Sequence, residues 1–159
     1  MDFVGRLVEK CHVGYIVQDA ESAVKNLQEK LCCAIDAKVY MFVPQKVWTS
    51  GFSGEGFALK IALCRIKDNM TIEYIQPITQ AGYHFNALRA CGEHMNHVCF
   101  ATEDYDRYFA EFKAMGASIL FEAEVNDPEN GYRRCFYAKI EGIPGVFEIL
   151  ENAKPYRYP

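Results

Sequence analysis

Residues 12–19 read His-Val-Gly-Tyr-Ile-Val-Gln-Asp, and residues 97–104 read His-Val-Cys-Phe-Ala-Thr-Glu-Asp. Aligned without a gap, the two stretches share the histidine, the valine and the aspartate, and they place Tyr15 opposite Phe100. A strand-like segment that ends in an aspartate is typical of a strand followed by a helix with that aspartate as its N-cap, so Asp19 and Asp104 are the predicted caps. The chain therefore repeats itself, and the repeat predicts two copies of one folding unit.

Each copy continues with a helical pattern and then with strand-like patterns. Apolar residues recur at helical spacing after each aspartate. Strand-like runs follow at residues 37–43, 57–66, 70–76, 118–125, 132–140 and 146–150. The predicted fold class is α+β, with two tandem βαβββ modules at 8–77 and 95–152 in a single domain, 1–159. The linker at 78–94 is expected to contain a short helix around residues 86–90.

Four side chains in this pattern are of a kind that strands seldom carry on an apolar face. His12 and His97 are repeat equivalents in the opening strands, and Glu73 and Glu148 are equivalents in the closing strands. One such residue alone is usually an ordinary core or surface residue, and a buried carboxylate without a partner is costly. Two carboxylates that face two imidazoles are stabilised if a divalent cation lies among them. We therefore predict a metal site formed by these four residues.

The chain resembles the vicinal oxygen chelate superfamily, also called the glyoxalase/bleomycin-resistance/dioxygenase superfamily, over about residues 8 to 152. The matching motifs are His12-Val-Gly-Tyr-Ile-Val with Asp19, Thr71-Ile-Glu73-Tyr-Ile-Gln-Pro77, Asn96-His97-Val-Cys-Phe and Gly145-Val-Phe-Glu148-Ile-Leu. The resemblance implies curved sheets that enclose a cleft, with a metal held by residues of the first and last strands of each module. Transferred by position, those ligands are His12, Glu73, His97 and Glu148. The motifs look closest to methylmalonyl-CoA epimerases and lactoylglutathione lyases.

Two imidazoles and two carboxylates suit one divalent metal ion: Zn²⁺, Ni²⁺, Co²⁺, Mn²⁺ or Mg²⁺. Four protein ligands in an octahedral shell leave two positions for two neighbouring oxygens of a substrate. We expect a metal-dependent isomerase, epimerase or glyoxalase-type lyase that removes the α-proton of a small carbonyl or acyl-thioester substrate through an enediolate. The family's lyases suggest Glu148 as both ligand and catalytic base, and Glu73 is the candidate that returns the proton to the opposite face.

Two other functions remain open from the sequence. One is a non-catalytic protein that binds a drug or an aromatic compound, although relatives of that type generally lack the metal ligands. The other is an iron-dependent dioxygenase, but those relatives resemble a three-ligand pattern, and Glu73 would fill a position that they leave open. A homodimer is expected, because curved sheets with free edges favour pairing.

Several further residues have a predicted place. Aromatic residues surround a Gly-Ser-rich turn at 51–56: Tyr40, Phe42, Trp48, Phe52 and Phe57. Core packing together with ordinary surface aromatics is the favoured interpretation, and the alternative is a mobile flap over an aromatic or extended acyl substrate. Arg133 and Arg134 have opposite strand parity, so only one can face the cleft, where it could pair with a carboxylate or phosphate. A solvated edge-strand arginine is the favoured interpretation. His84 and His94 lie in the linker without repeat partners and are predicted to be surface histidines.

The composition excludes some classes of function. The net charge is −4 and the 17 lysines and arginines form no run, so no binding to nucleic acid is expected. No apolar stretch approaches the ~18 residues of a membrane span, and residues 1–11 lack an apolar signal-peptide core. The seven cysteines include no CxxC pair and are predicted to be reduced thiols in a cytoplasmic protein.

Overall fold

The computed structural model describes residues 7–31, 35–67, 70–127 and 131–151. These residues form nine strands and three helices, in the order β1 (Leu7–Ile16), α1 (Ala20–Leu31), β2 (Asp36–Phe42), β3 (Lys46–Thr49), β4 (Leu59–Lys67), β5 (Met70–Pro77), α2 (Tyr83–Cys91), β6 (His94–Thr102), α3 (Tyr105–Ala114), β7 (Ser118–Asp127), β8 (Gly131–Lys139) and β9 (Val146–Glu151). The predicted α+β class is confirmed. The bounds of the domain and of its two modules stay predictions.

All nine strands of the described residues belong to one curled mixed sheet, in the order β2-β4-β5-β1-β6-β9-β8-β7-β3. The opening strands of the two copies, β1 and β6, are antiparallel neighbours at its centre. Each has the closing strand of its own copy as a parallel neighbour on its other side, β5 beside β1 and β9 beside β6. The four strands that were predicted to supply ligands are therefore adjacent.

Strand β3 was not predicted. It belongs to the first copy in sequence, yet it pairs with β7 of the second, for example Val47 with Ala123. Its four residues are too few to show an alternating pattern, and Lys46 and Trp48 are exposed. The linker helix was predicted at 86–90 and extends over Tyr83–Cys91.

Helices α1 and α3 cover the outer face of the sheet, and the alternation of each strand separates this face from the inner one. On β4, Leu59, Ile61 and Leu63 point to the inner core, whereas Ala62 and Cys64 pack in the outer cluster with α1. The inner face therefore combines apolar side chains with the functional residues described below.

The two predicted helix caps differ. The Ser22 N–H donates to Asp19 Oδ1 at 2.8 Å, as expected for an N-cap. Asp104 occupies the N-cap position of α3, as predicted, but its side chain makes no cap hydrogen bond; instead the Asp104 N–H donates to Thr102 Oγ1 at 3.0 Å.

Four of the seven cysteines have described side chains, and all four are free thiols: Cys64, Cys91, Cys99 and Cys135. The remaining cysteines, Cys11, Cys32 and Cys33, lie outside the described side chains. Across the described residues, no helix has the length and apolar character needed to cross a membrane.

Candidate metal centre

Strand register brings the predicted site residues to one face of the sheet. Gly14 on β1 lies opposite Glu73 of β5 on one side and opposite His97 of β6 on the other. Directly opposite residues of adjacent strands project to the same face. Glu73 and His97 therefore face each other across a glycine, which leaves the space between them open.

A second row, related to the first by the repeat, supplies the other two residues. Cys99 on β6 lies opposite His12 of β1 and opposite Glu148 of β9. Cys99, the middle residue of this row, is also small, so the side chains of His12 and Glu148 can approach each other above it. The two rows are adjacent, because Gly14 and Cys99 each lie two residues after the histidine of their copy.

The four predicted residues meet at a single point, and all four are buried. His12 Nε2 lies 2.9 Å from Glu148 Oε2 and 3.2 Å from Glu73 Oε2. His97 Nε2 lies 3.2 Å from Glu148 Oε2, 3.4 Å from Glu73 Oε2 and 3.3 Å from His12 Nε2. We refer to these four side chains as the His-Glu cluster.

Gly14 is required for this geometry. A Cβ atom at position 14 would lie 2.0 Å from Cε1 and 2.2 Å from Nε2 of His97, far inside van der Waals contact. The imidazole thus occupies the space that any other residue at position 14 would fill. Sequence reasoning missed this role, although both copies have a small residue two positions after the histidine.

His97 is fixed in orientation by its neighbours. Its Nδ1 lies 3.2 Å from Asn96 Oδ1, an atom that can only accept, so Nδ1 carries the proton. The Asn96 amide nitrogen donates in turn to the Tyr83 hydroxyl at 2.7 Å, and the Tyr137 ring lies 4.6 Å from the imidazole centroid. Nε2 of His97 is consequently directed at the His-Glu cluster.

The two carboxylates of the His-Glu cluster favour positive charge in their surroundings. Burial alone lowers the pKa of His12, but Glu73 and Glu148 outweigh burial and raise it well above its usual value. Burial raises the pKa of Glu73, yet the contacts with His12 and His97 lower it to about 2. The pKa of Glu148 is also held far below its usual value by the two imidazoles, against the effect of burial. Both carboxylates are therefore ionised, and they favour positive charge beside them, either on the two imidazoles or on a bound cation.

The donor atoms fit a divalent metal ion. Ligand atoms about 2.1 Å from a common ion are about 3.0 Å apart at adjacent octahedral positions and about 3.4 Å apart in a tetrahedron. The five distances within the cluster run from 2.9 to 3.4 Å, and the four ligand atoms lie within 4.8 Å of one another. Glu73 Oε2 is buried and its polar neighbours are the two imidazole Nε2 atoms, so this oxygen points to the centre of the cluster, where an ion would lie.

A cavity of about 190 Å³ opens directly onto the cluster. His12, Glu73 and Glu148 line it, and most of its remaining wall is apolar or aromatic: Tyr40, Met41, Phe42, Val43, Leu59, Ile61, Phe121, Val125, Cys135, Tyr137 and Leu150. An apolar pocket with a few convergent polar groups is the usual form of a small-molecule site.

Of the aromatic residues predicted around the turn at 51–56, Tyr40 and Phe42 line the cavity, whereas Phe57 is buried in the inner core and Phe52 packs against it. Trp48 is 55% exposed on β3. The flap itself stays a prediction.

The interpretation of Arg133 as a solvated edge-strand residue was wrong. Arg133 is 2% exposed and lines the cavity, because β8 lies between β9 and β7 rather than at an edge. Arg134, its neighbour of opposite parity, forms ion pairs with Asp106 at 2.7 Å and Glu151 at 2.7 Å.

The prediction that His84 is a surface residue was also wrong. His84 is 1% exposed, and its ring centroid lies 4.8 Å from that of Phe121 and 5.2 Å from that of Tyr137. Burial lowers its pKa to about 3, assisted by nearby His97. Packing of α2 against the sheet causes this burial, and the sequence of the linker gave no repeat partner from which to infer it. His94 is partly exposed and contacts the Gly92 carbonyl through Nδ1 at 2.8 Å.

Comparison with known families gives a match over residues 11–136 to the model described as the Glyoxalase/Bleomycin resistance protein/Dioxygenase superfamily. The chain belongs to this superfamily. The resemblance inferred from the repeat is thereby confirmed. Comparison of the sequence with curated proteins gives no significant match.

Solved structures of the superfamily fold match the chain along most of its length. A variant of Streptomyces coelicolor methylmalonyl-CoA epimerase in complex with 2-nitronate-propionyl-CoA has a TM-score of 0.64 and 17% identity, covering 93% of this chain and 99% of that one. Methylmalonyl-CoA epimerase from Mycobacterium tuberculosis has a TM-score of 0.61 and 16% identity, with coverage of 93% and 90%. A mutant of 4-hydroxymandelate synthase from Streptomyces coelicolor has a TM-score of 0.62 and 13% identity, covering 96% of this chain and 51% of that one. At these identities the likeness concerns the fold.

Proposed function

We propose that this protein is a metal-dependent isomerase, epimerase or glyoxalase-type lyase that removes the α-proton of a small carbonyl or acyl-thioester substrate. The supporting observation is the His-Glu cluster, four buried side chains of two ligand types, three of which line a mainly apolar cavity. His12, Glu73, His97 and Glu148 would hold one divalent ion. Such an ion would polarise the oxygens of the substrate and stabilise the negative charge that develops on them as the proton leaves.

Glu148 is the proposed base. It lines the cavity, so its carboxylate is in reach of a bound molecule. Burial favours the protonated carboxyl group, while the contacts of Oε2 with His12 and His97 favour the ionised one. A small movement of Glu148 away from the imidazoles would therefore increase its affinity for a proton at the moment of transfer.

Glu73 is the proposed second acid–base group. It also lines the cavity, and the repeat places it on the other side of the two histidines. A proton taken by one carboxylate and returned by the other reaches the opposite face of the substrate carbon, which inverts that centre. A lyase would use the same pair to move a proton between neighbouring carbons. The two carboxylates thus support both activities.

The test follows exchange of the substrate α-hydrogen in deuterium oxide by NMR. Metal-loaded protein is incubated with methylmalonyl-CoA and, separately, with the glutathione hemithioacetal of methylglyoxal. We expect exchange with one of them, and a fall of about 10²–10⁴-fold in the Glu148→Gln variant, the usual contribution of a general base. Glu122→Gln is the control, since Glu122 is a partly buried glutamate on β7 outside the cavity lining, and should keep the wild-type rate.

An exchange rate in Glu148→Gln equal to that of the wild type would show that Glu148 is not the base. Consumption of oxygen by the Fe²⁺-loaded protein, with no exchange in any metal form, would instead support a dioxygenase. Tight binding of an aromatic compound by protein that takes up no metal would support the sequestering function.

A further inference from the structure

The two sides of the cavity wall differ in polarity. On the side of β7 and β8, the lining includes the polar side chains of Asn126, Arg133 and Arg134. On the opposite side, every lining residue of β2, of β4 and of the position after β2 is apolar or aromatic: Tyr40, Met41, Phe42, Val43, Leu59 and Ile61. The wall formed by β2 and β4 therefore favours contact with a hydrocarbon group of a ligand.

Strand register brings four of these side chains together. Tyr40 lies opposite Ile61, and Phe42 lies opposite Leu59, in the antiparallel pair of β2 and β4. Directly opposite residues project to the same face, and residues two apart along a strand share that face. Leu59 and Ile61 are buried in the inner core, and the two aromatic side chains pack against this core. We refer to these four side chains as the β2–β4 pocket.

The β2–β4 pocket begins close to the His-Glu cluster. Leu63 of β4 lies opposite Glu73, and Ile61 precedes Leu63 by two residues on the same face. Ile61 is therefore about 7 Å along the strand from the level of Glu73, and Leu59 is about 13 Å from it. A substrate with its oxygens at the cluster can thus extend a short hydrocarbon chain along this wall.

The segment between the two edge strands bounds the cavity. Strands β2 and β3 are the two edges of the sheet, yet they are consecutive in sequence and are joined by residues 43–45. The Gln45 N–H donates to the Glu124 carbonyl at 2.9 Å, and Gln45 Oε1 accepts from the Asn126 N–H at 2.6 Å. The chain is thereby fixed where it crosses from one edge of the sheet to the other, next to Val43 of the cavity lining.

The volume of the cavity limits the size of the hydrocarbon group. An apolar cavity of about 150 Å³ is large enough to bind a benzene molecule. The cavity of this protein measures about 190 Å³ and must also hold the carbonyl carbon and its oxygens. The group inside it therefore has no more than about six carbon atoms.

We propose that the β2–β4 pocket binds a compact hydrocarbon group of the substrate, attached next to the carbonyl carbon whose oxygen lies at the His-Glu cluster. The substrate is accordingly a carbonyl compound with a short alkyl chain, and Phe42 and Leu59 determine the preference for the length of that chain. This inference rests on the proposed function, because a metal ion at the cluster must hold the oxygens for the chain to lie along β4.

The test uses probes that share two neighbouring oxygens and differ in the length of the alkyl chain: 2-oxopropanoate, 2-oxobutanoate, 2-oxopentanoate and 2-oxohexanoate. Binding of each to Zn²⁺-loaded protein is measured by isothermal titration calorimetry, after the zinc content of every sample has been determined. Burial of one methylene group strengthens binding by about fourfold. We therefore expect the wild type to bind 2-oxopentanoate at least about tenfold more tightly than 2-oxopropanoate.

Phe42→Ala and Leu59→Ala should lose most of this increase, because each removes a wall of the pocket. Both variants should keep their zinc and their affinity for 2-oxopropanoate, whose methyl group is too short to reach either side chain. Phe52→Ala is the matched control for Phe42→Ala and should keep the wild-type increase. Both phenylalanines are half-buried and pack against the inner core, but of the two, Phe42 alone lines the cavity.

Equal affinities of the zinc-loaded wild type for all four probes, or binding of none of them, would overturn the inference and leave the proposed function standing. The same holds if Phe42→Ala and Leu59→Ala keep the wild-type increase. The wild-type series alone tests the inference if neither variant folds. Wild-type protein that takes up no zinc would overturn both the inference and the proposed function, and the metal analysis distinguishes this case from the others.

Discussion

The two halves of the sheet, β2-β4-β5-β1 with α1 and β6-β9-β8-β7-β3 with α3, place equivalent functional side chains but pack differently. Each contributes one histidine from its opening strand and one glutamate from its closing strand to the His-Glu cluster. Around α1 the buried side chains are aliphatic or small, whereas around α3 they are mainly aromatic. The repeat therefore preserves the positions that a metal site needs, while the packing behind each helix has diverged.

The histidines of the two halves also have different surroundings. His97 is 1% exposed, lies against Gly14 and Tyr137, and is oriented by Asn96. The repeat equivalent of Asn96 is Cys11, the residue before His12. A cysteine has no amide oxygen that could accept such a hydrogen bond. The asparagine thus distinguishes the second half from the first.

The largest expected difference between the halves is in the energy of core packing. Phe112 on α3 and Leu27 on α1 are repeat equivalents, but Phe112 is fully buried and Leu27 only partly. Phe112→Ala should lower the free energy of unfolding by about 3–5 kcal/mol. Leu27→Ala should lower it by about 2 kcal/mol or less, because less of its surface leaves water on folding. Urea denaturation measures both, and equal losses would refute the contrast.

The second prediction concerns acid stability and His84, which packs against Phe121 and Tyr137 of the second half. The pKa of His84 is lowered to about 3 by burial and by His97, whereas in the unfolded chain it returns to near 6.5. Below pH ~6.5 the unfolded state takes up a proton that the folded state does not, so the free energy of unfolding falls by up to about 1.4 kcal/mol per pH unit.

In His84→Phe this contribution is absent, and the variant should lose less stability than the wild type between about pH 6.5 and pH 4. Urea denaturation of both metal-free proteins across this pH range gives the difference between their free energies of unfolding. The carboxylates contribute equally to both proteins, so their effects cancel in this difference. Parallel pH profiles would show that His84 does not titrate as described.

The third prediction tests the asparagine that marks the second half. Asn96→Ala removes the acceptor that orients His97, and loss of such an outer partner typically weakens metal affinity by about 10–100-fold. Asn96→Asp retains an acceptor at the same position and should recover most of the affinity. Competition with a chromogenic zinc chelator measures all three proteins. An unchanged affinity in Asn96→Ala would mean that the protein packing alone holds the imidazole.

The smallest expected effect separates the two helix caps. Asp19 accepts a hydrogen bond from the Ser22 N–H, whereas the Asp104 side chain makes no cap hydrogen bond. Asp19→Ala should lower the melting temperature by about 2–4 °C, and Asp104→Ala by no more than about 1 °C. Differential scanning calorimetry decides this, and the reverse order would contradict the assignment of the caps.

Much of the fold and the whole His-Glu cluster could be predicted from the sequence, because both follow from the internal repeat. His12 and His97 occupy equivalent positions in the two copies, and so do Glu73 and Glu148. This equivalence indicated a shared site, whereas a single histidine or glutamate would not have indicated one. The small residue at position 14 could have been noticed in the same way, since its repeat equivalent, Cys99, is also small.

The remaining features depend on contacts between segments distant in sequence. The burial of His84 results from the docking of α2, and that of Arg133 from the inner position of β8 in the sheet. Strand β3 is stabilised by pairing with β7, which is distant in sequence, and four residues are too few to predict a strand by themselves. The homodimer and the cytoplasmic location stay predictions.

The most direct test of the account is the metal content of the wild type, His97→Ala and Gly14→Ala, measured by elemental analysis after purification without chelator. The account predicts about one divalent ion per chain in the wild type and a loss of the ion in both variants, because a Cβ at position 14 would displace the His97 ring. Circular dichroism of the variants confirms that they are folded. Wild-type protein that holds no ion, even after incubation with Zn²⁺, Ni²⁺, Co²⁺ or Mn²⁺, would contradict the account, as would variants that bind metal like the wild type.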